Sequence, residues 1–359
     1  MQRPNSEDNA PLTPRALTKW VSLLVGLVLL LALLVIPAPY VVRSPGPTKD
    51  TLGKINDQNL IDIKGAETYK STGELRLTTV GVSGGPGFPV NAVQTITSWF
   101  DKRHAIAPVE SVFPRGATQE ELDAQSTADM ISSQENATYA ALQELDYDIP
   151  VTITVQGFSE KSNAKGAIQK GDVLVNVNGQ KITYYEDLST SLADVSPGGN
   201  VEVTVLRDGK EEQISFDTVS DSTGEKARLG VFISPDFDFP IDVSIKIDNI
   251  GGPSAGTMFA LGIMDLLTPE DEANGVSIAG TGTVNTEGTV GAIGGIRQKM
   301  FGAMRDGADW FLAPASNCDE VIGHVPTGLR VVKIETLSGA WQAVKDIGAG
   351  GGKDLPTCG

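Results

Sequence analysis

No stretch of this chain restricts its folding more than Trp20–Ile36, WVSLLVGLVLLLALLVI, which carries no charged side chain. In a bilayer every backbone amide and carbonyl of such a run must be bonded within the run itself, so it is expected to be a helix. With Pro37, Ala38, Pro39 and Tyr40 it approaches the roughly 20 residues that cross a hydrocarbon core. Arg15 and Lys19 precede it, and Trp20 and Tyr40 suit its two interfaces. The competing reading is a cleaved signal peptide. The apolar core is longer than the usual 7–15 or so residues, however, and Pro-Ala-Pro-Tyr-Val-Val is a poor small-x-small cleavage site. The expectation is therefore a cytoplasmic tail (1–19), a single-pass membrane anchor (20–38) and a large extracytoplasmic part. Basic residues tie across the span (Arg3, Arg15 and Lys19 against Arg43, Lys49 and Lys54), but the two nearest to it lie on the N-terminal side.

The 359 residues suffice for two or three domains of ordinary size. Against 28 basic residues stand 45 acidic ones, a net charge of −17. A surface of that sign repels phosphate backbones, which argues against nucleic acid as a partner. Two cysteines and two histidines cannot build a four-cysteine zinc site, and neither a metal nor another cofactor is expected. Cys318 and Cys358 are candidates for a disulfide, which would suit an oxidising exterior; two unrelated free thiols are the alternative.

Residues 39–149 read as mixed structure without visible chemistry. Leu75–Val82 alternates as a strand, Gly84-Gly-Pro-Gly87 breaks it, and Ala92–Arg103 and Glu120–Leu145 have helical composition. Residues 150–218 are plainer. A strand at Val151–Val155, a short helix at Asn163–Ile168 and a strand closed by Asn178-Gly179 come first. A helix at Tyr185–Leu192, a strand at Asn200–Arg207 and a turn at Asp208-Gly209 follow. This order, with Ala164…Ala167-Ile168…Gly171-Asp-Val-Leu174…Val177-Asn-Gly179, resembles a PDZ domain of the kind found on bacterial membrane-linked proteases. The resemblance implies an extended peptide added as a strand to a sheet edge. Gly157-Phe158 is the nearest candidate for the usual Gly-Leu-Gly-Phe loop. A β-rich spacer is the plainer alternative.

From Gly230 strands and helices alternate. Val243–Ile247 reads as a strand leading to Gly251-Gly-Pro-Ser-Ala-Gly256, and Thr257–Leu267 is apolar nearly all round, the mark of a buried helix. Pro253 suits a first helical turn, which sets Ser254 at a helix start, where free amides such as those of Gly252 and Ala255 can support an oxyanion. Serine is equally a good helix cap. A second helix is expected across Gly294–Gly307. There Lys299 interrupts an apolar face made by Ile296, Met300 and Ala303, while Arg297 and Gln298 are free to point to water. A lysine turned inward loses solvation and is driven toward its neutral form, able to take a proton from a serine hydroxyl. Snorkelling at the core's rim is the other outcome for such a side chain.

Between the two stands Ala279-Gly-Thr-Gly-Thr-Val-Asn-Thr-Glu-Gly-Thr-Val-Gly-Ala-Ile-Gly-Gly295. Pro-Ser-Ala-Gly, then Thr-Gly…Gly-x-Val-x-x-Ile-Gly-Gly, then Gly-Gly-Ile-x-x-Lys occur in the order that resembles the proteolytic domain of Lon proteases, over about Gly230–Ala343. The resemblance implies a Ser254 nucleophile, a Lys299 base and a Thr281 hydrogen-bonded near the lysine. Many Lon sequences carry an acidic residue where this chain has Gly251, and no G-x-x-x-x-G-K-[ST] phosphate loop occurs. The expectation is thus an α+β chain: an anchor, a PDZ-like domain (150–218), a Lon-type α/β proteolytic domain (230–345) and a Gly/Pro-rich tail (346–359). Its activity would be ATP-independent endoproteolysis of unfolded or exposed polypeptides, with a homo-oligomer a further possibility. The rivals are an inert PDZ scaffold, a serine hydrolase using His104 or His324, and a Cys318/His324/Cys358 metal site.

Overall fold

The computed structural model describes residues 13–221, 223–248 and 250–359; most of the expected tail, residues 1–12 with Arg3, lies outside the described residues. The principal elements begin with helix α1 (Pro14–Val35), strands β1 (Tyr40–Asp50) and β2 (Glu74–Ser83), helix α2 (Ala92–Trp99), strand β3 (Ala105–Pro108) and helix α3 (Gln119–Glu144). Next come β4 (Val151–Phe158), β5 (Val173–Val177), α4 (Tyr185–Thr190), β6 (Asn200–Arg207), β7 (Lys210–Asp217) and β8 (Val231–Phe237). The remainder holds α5 (Gly256–Leu267), β9 (Ser277–Gly280), α6 (Ile296–Arg305), β10 (Trp310–Pro314), β11 (Arg330–Ile334) and α7 (Leu337–Gly348).

Helix α1 opens with Thr13 as cap and Pro14 in its first turn, and none of its residues is buried. It is long and apolar enough to cross a membrane, a test that a signal sequence also passes.

The larger sheet has the order β11-β10-β9-β2-β1-β3, with β11, β10, β9 and β2 parallel and then β1 and β3 antiparallel in turn. The stretch 39–149 therefore supplies β1, β2 and β3 to the same sheet as residues 277–334. Strand alternation divides the core in two. Leu75, Leu77, Ile278 and Leu312 face Met258 and Phe259 of α5, which α3 covers. Ala279 and Phe311 face Ile296, Met300 and Ala303 of α6. Fully burying side chains of this size stabilises by roughly 1.5–3 kcal/mol apiece. The far end of α6 is clasped to β1, because Thr48 donates from both its N–H and its hydroxyl to Asp306, each at 2.9 Å.

The smaller sheet is antiparallel, β7-β6-β5-β4-β8, closed by turns whose Asn178-Gly179 and Asp208-Gly209 pairs have positive φ at both positions. Two details differ from the sequence reading. Asn163–Ile168 is a series of turns with a single bridge, Lys165 to Ile168, because Gly166 adopts φ +86°, which no helix continues. Strand β8, beyond residue 218, is the edge strand of this sheet, pairing with β4 from Val231↔Phe158 to Phe237↔Val151. Phe237 also stacks on Tyr139 of α3 at 4.4 Å between ring centres, joining the two sheets' layers.

Helix α5 is buried from Gly256 through Asp265. Asp265 is 2% exposed, and neither carboxylate oxygen has a hydrogen-bond partner among the described residues. Burial, reinforced by the charges of Asp271 and Glu272, pushes its pKa up to about 6. The folded state thus holds this proton more tightly than the unfolded chain, and stability falls as pH rises from about 4 to about 6, by ~3 kcal/mol in all. Asp265→Asn should raise the melting temperature at pH 8 and leave it nearly unchanged at pH 4. Equal destabilisation at both pH values in thermal melts would show that the carboxyl group is needed for itself.

Candidate active site and peptide groove

Ser254 and Lys299 approach from opposite faces of the larger sheet and meet beyond the carboxyl end of β9. Lys299 Nζ stands 2.7 Å from Ser254 Oγ and 2.8 Å from Thr281 Oγ1. Thr281 follows β9 directly, and its hydroxyl donates to the Ser254 carbonyl at 2.9 Å. With that proton committed, Thr281 has only lone pairs to offer the lysine. Lys299 must therefore donate to Thr281, and its neutral form turns its own lone pair toward the serine O–H.

Lys299 is 2% exposed, and burial pulls its pKa down to about 7. Ser254 is half-buried. Gln298, expected to face water, is instead buried, and its side-chain amide donates to the Arg103 carbonyl at 3.4 Å. Helix α6 packs on β1 and β2, so only Arg297 on this turn stays partly exposed.

The serine loop is held from outside its own segment. Ser133 on α3 donates to the Pro253 carbonyl at 3.0 Å, and the Gly252 N–H donates to the Ser126 carbonyl at 3.0 Å. That bond commits the Gly252 amide, which corrects its assignment as oxyanion support. Pro253 also lies ahead of the helix, which starts at Gly256 with Ala255 as its cap. The Ala255 N–H has no acceptor among the described residues and remains a donor at the α5 N-terminus. Gly251 lies so close to α3 that a Cβ there would collide with Ser126 Oγ. This contact accounts for glycine in place of an acidic residue. The role of α3 was invisible in the sequence, where 39–149 showed no motif.

The other candidates are placed apart from this cluster. Cys318 and Cys358 are bonded to each other, Cα to Cα 5.0 Å, so neither is a thiolate ligand. His324 is exposed and 2.9 Å from its neighbour Ile322's carbonyl, while His104 lies 3.2 Å from Asp101.

A second feature lies between β8 and α4. Leu188, Leu192, Leu229, Val231, Ile233 and Tyr185 line a largely apolar groove of about 340 Å³, along the edge strand. At its head runs Leu229-Gly230-Val231-Phe232, where Gly230 has φ +75° and its carbonyl accepts from Ser159 N–H at 2.9 Å. The Gly157-Phe158 candidate is corrected on topological grounds. It lies at the end of β4, whose outer side β8 covers from Val151 to Phe158 while β5 joins it at Ile153 and Thr154, so the sheet's edge on this side is β8. The Leu-Gly-Val-Phe run was the available signal, missed because it follows residue 218. Glu287, on the turn between Val284 and Val290, also lines this groove, and the same turn's stem follows Thr281.

Comparisons with known proteins find two families. Residues 130–218 match the PDZ domain, and residues 242–343 match the Lon protease (S16) C-terminal proteolytic domain. Over 160 residues, 40% of this chain, it is 33% identical to "Lon protease" of Desulfatibacillum aliphaticivorans and 31% identical to that of Clostridioides difficile (strain 630). Those matches cover 19% and 20% of the two relatives, so the chain spans about a fifth of their length. A stretch of 67 residues, 19% of this chain and 13% of the relative, is 40% identical to a "Probable periplasmic serine endoprotease DegP-like" of Bartonella henselae. The chain thus carries an N-terminal apolar helix, a PDZ domain and a Lon-type proteolytic domain.

The Gly251–Ser126 contact yields a reciprocal test. Gly251→Ala should cut peptide hydrolysis at least about tenfold by displacing the serine loop, and adding Ser126→Gly should restore most of it. Failure of the second substitution to rescue would mean that Gly251 matters for its backbone rather than for the space beside α3.

Proposed function

We propose that this chain is an ATP-independent serine endopeptidase, anchored by α1 with its large domain outside the cytoplasm, that cuts unfolded or exposed polypeptide segments. The observation that carries the reading is the buried lysine amine 2.7 Å from a half-buried serine hydroxyl, with Thr281 2.8 Å away on the amine's other side. A neutral Lys299 takes the Ser254 proton as Oγ attacks the scissile carbonyl carbon. The oxyanion develops toward the Ala255 N–H at the positive end of α5, where a single such donor is worth roughly 10²–10³ in rate. The lysine then returns the proton to the leaving amine, and a water molecule activated the same way releases the acyl group. Thr281 positions the amine. These 359 residues hold no phosphate loop, which supports independence from ATP.

The PDZ groove supplies capture. A chain end laid along β8 gains main-chain hydrogen bonds from the free edge and seats an apolar side chain among Leu188, Leu192 and Leu229. Such a segment is already extended, the form a protease cuts. Tethering raises its concentration at Ser254 by linkage alone.

Ser254→Ala and Lys299→Ala should each abolish hydrolysis of unfolded casein with the fold retained by circular dichroism, whereas Arg297→Ala should keep most activity. Casein left intact by the unaltered protein would favour the inert PDZ scaffold. The rate should rise with pH through about 7, the value to which burial brings Lys299. A flat profile from about pH 5 to 9 would count against lysine as the base.

Leu229→Asp should slow cleavage of long polypeptides several-fold more than cleavage of a short fluorogenic peptide. Proportional loss on both substrates would make the PDZ domain a structural support only.

A further inference from the structure

Helix α2 and the residues at its ends carry large apolar side chains that no described residue covers. Ile96, Trp99 and Phe100 are 50%, 71% and 86% exposed, at the i, i+3 and i+4 spacing that shares one helix face. Phe88, just ahead of the helix, is 65% exposed. An apolar group of this size, with two large aromatics at one end, calls for a partner.

Its place in the chain says which. Only residues 36–39 separate the end of α1 from the start of β1. Two of them are fastened to the residues at the head of α2: Pro37 is bridged to Asn91, the α2 cap, and the Ala38 N–H donates to the Val90 carbonyl at 2.7 Å. Helix α2 also packs on α1 itself. An eight-residue helix is only about 12 Å long, and its head is fastened to the residues just past α1, so all of α2 stays close to the point where α1 leaves the body. Trp99 and Tyr40, the first residue of β1, line the same depression. If α1 spans a bilayer, this face therefore stands at the depth where headgroups meet acyl chains, the region that amphipathic aromatics favour. Charge agrees. The chain as a whole carries −17, yet Asp101-Lys102-Arg103, which follows Phe100, sums to +1, with Asp101 paired to Arg103 at 2.7 Å and Lys102 left as the net charge.

We infer that the Ile96–Trp99–Phe100 face of α2, with Phe88, is a second membrane contact that seats the globular body on the outer lipid surface beside α1. This rests on the reading of α1 as a retained anchor. The seat has a consequence for the active site. The carbonyl of Arg103, three residues past Phe100, receives the side chain of Gln298, next to Lys299 on α6. The catalytic helix is thus held at a set height above the bilayer, while the PDZ groove is carried by the other sheet.

Labelling of the full chain in phosphatidylcholine–phosphatidylglycerol vesicles tests this. The two native cysteines are bonded to each other, so Trp99→Cys, Phe100→Cys and, as control at the start of β7, Lys210→Cys each offer one thiol for a nitrobenzoxadiazole fluorophore. Labels at 99 and 100 should be quenched by a lipid with a headgroup-proximal doxyl group at least about twofold more than the label at 210, and shielded from aqueous iodide. Protein that floats with the vesicles but whose labels at 99 and 100 behave like the control overturns the seat while sparing the anchor. Shielding by added unfolded casein instead of by lipid also overturns it and assigns the face to substrate. Failure to float with the vesicles overturns the anchor and the seat together.

Discussion

A single buried amine ties together the two layers that pack on the larger sheet. Lys299 can be buried only because α6 lies flat on one face of the larger sheet. It reaches Ser254 only because α5 lies on the other face and its N-terminus comes up to the same strand end. Thr281, at the end of β9, lies between these layers and bonds to both sides, accepting from the lysine and donating to the serine's carbonyl. Removing water from the amine lowers its pKa, and the threonine sets the direction of its lone pair. Desolvation and orientation are thus supplied by the same packing that holds the two layers on the sheet.

That packing draws on distant parts of the chain. Strands β1, β2 and β3 complete the sheet, and α3 covers α5 while Ser126 and Ser133 fix the loop that presents Ser254. The smaller sheet lies between α3 and α5 in the chain, and its edge strand β8 is its last strand before the chain returns to the larger sheet's layers. Tyr139 on α3 stacks on Phe237 of β8, so the helix that braces the serine loop also touches the edge strand of the smaller sheet. The turn carrying Glu287 approaches the groove from the proteolytic side.

The C-terminal residues are fixed by a similar return. Cys358 bonds to Cys318, and the Pro356 carbonyl accepts from Lys333 N–H at 2.7 Å, so a Gly-rich segment is tied back against β11. Its lack of side chains lets it pass close to the face of Trp310, where a Cβ on Gly352 would press into the ring.

What the sequence determined by itself was local and periodic. A charge-free apolar run becomes α1, Asn-Gly and Asp-Gly pairs become tight turns, an all-apolar stretch becomes the buried α5, and one lysine breaks the apolar face of α6. Each of these depends on neighbours within a turn or two, which is the range over which spacing and backbone preference act. The tertiary structure decided everything that needed distant segments to meet. It alone assigned 39–149 to the larger sheet, buried Gln298 against Arg103, committed the Gly252 amide to Ser126, and put the smaller sheet's edge at Val231–Phe237 and not at Gly157-Phe158. Strand order is the physical reason. Whether a strand has a free edge, or an amide a free proton, depends on which remote segment lies beside it, and no local pattern of residues records that.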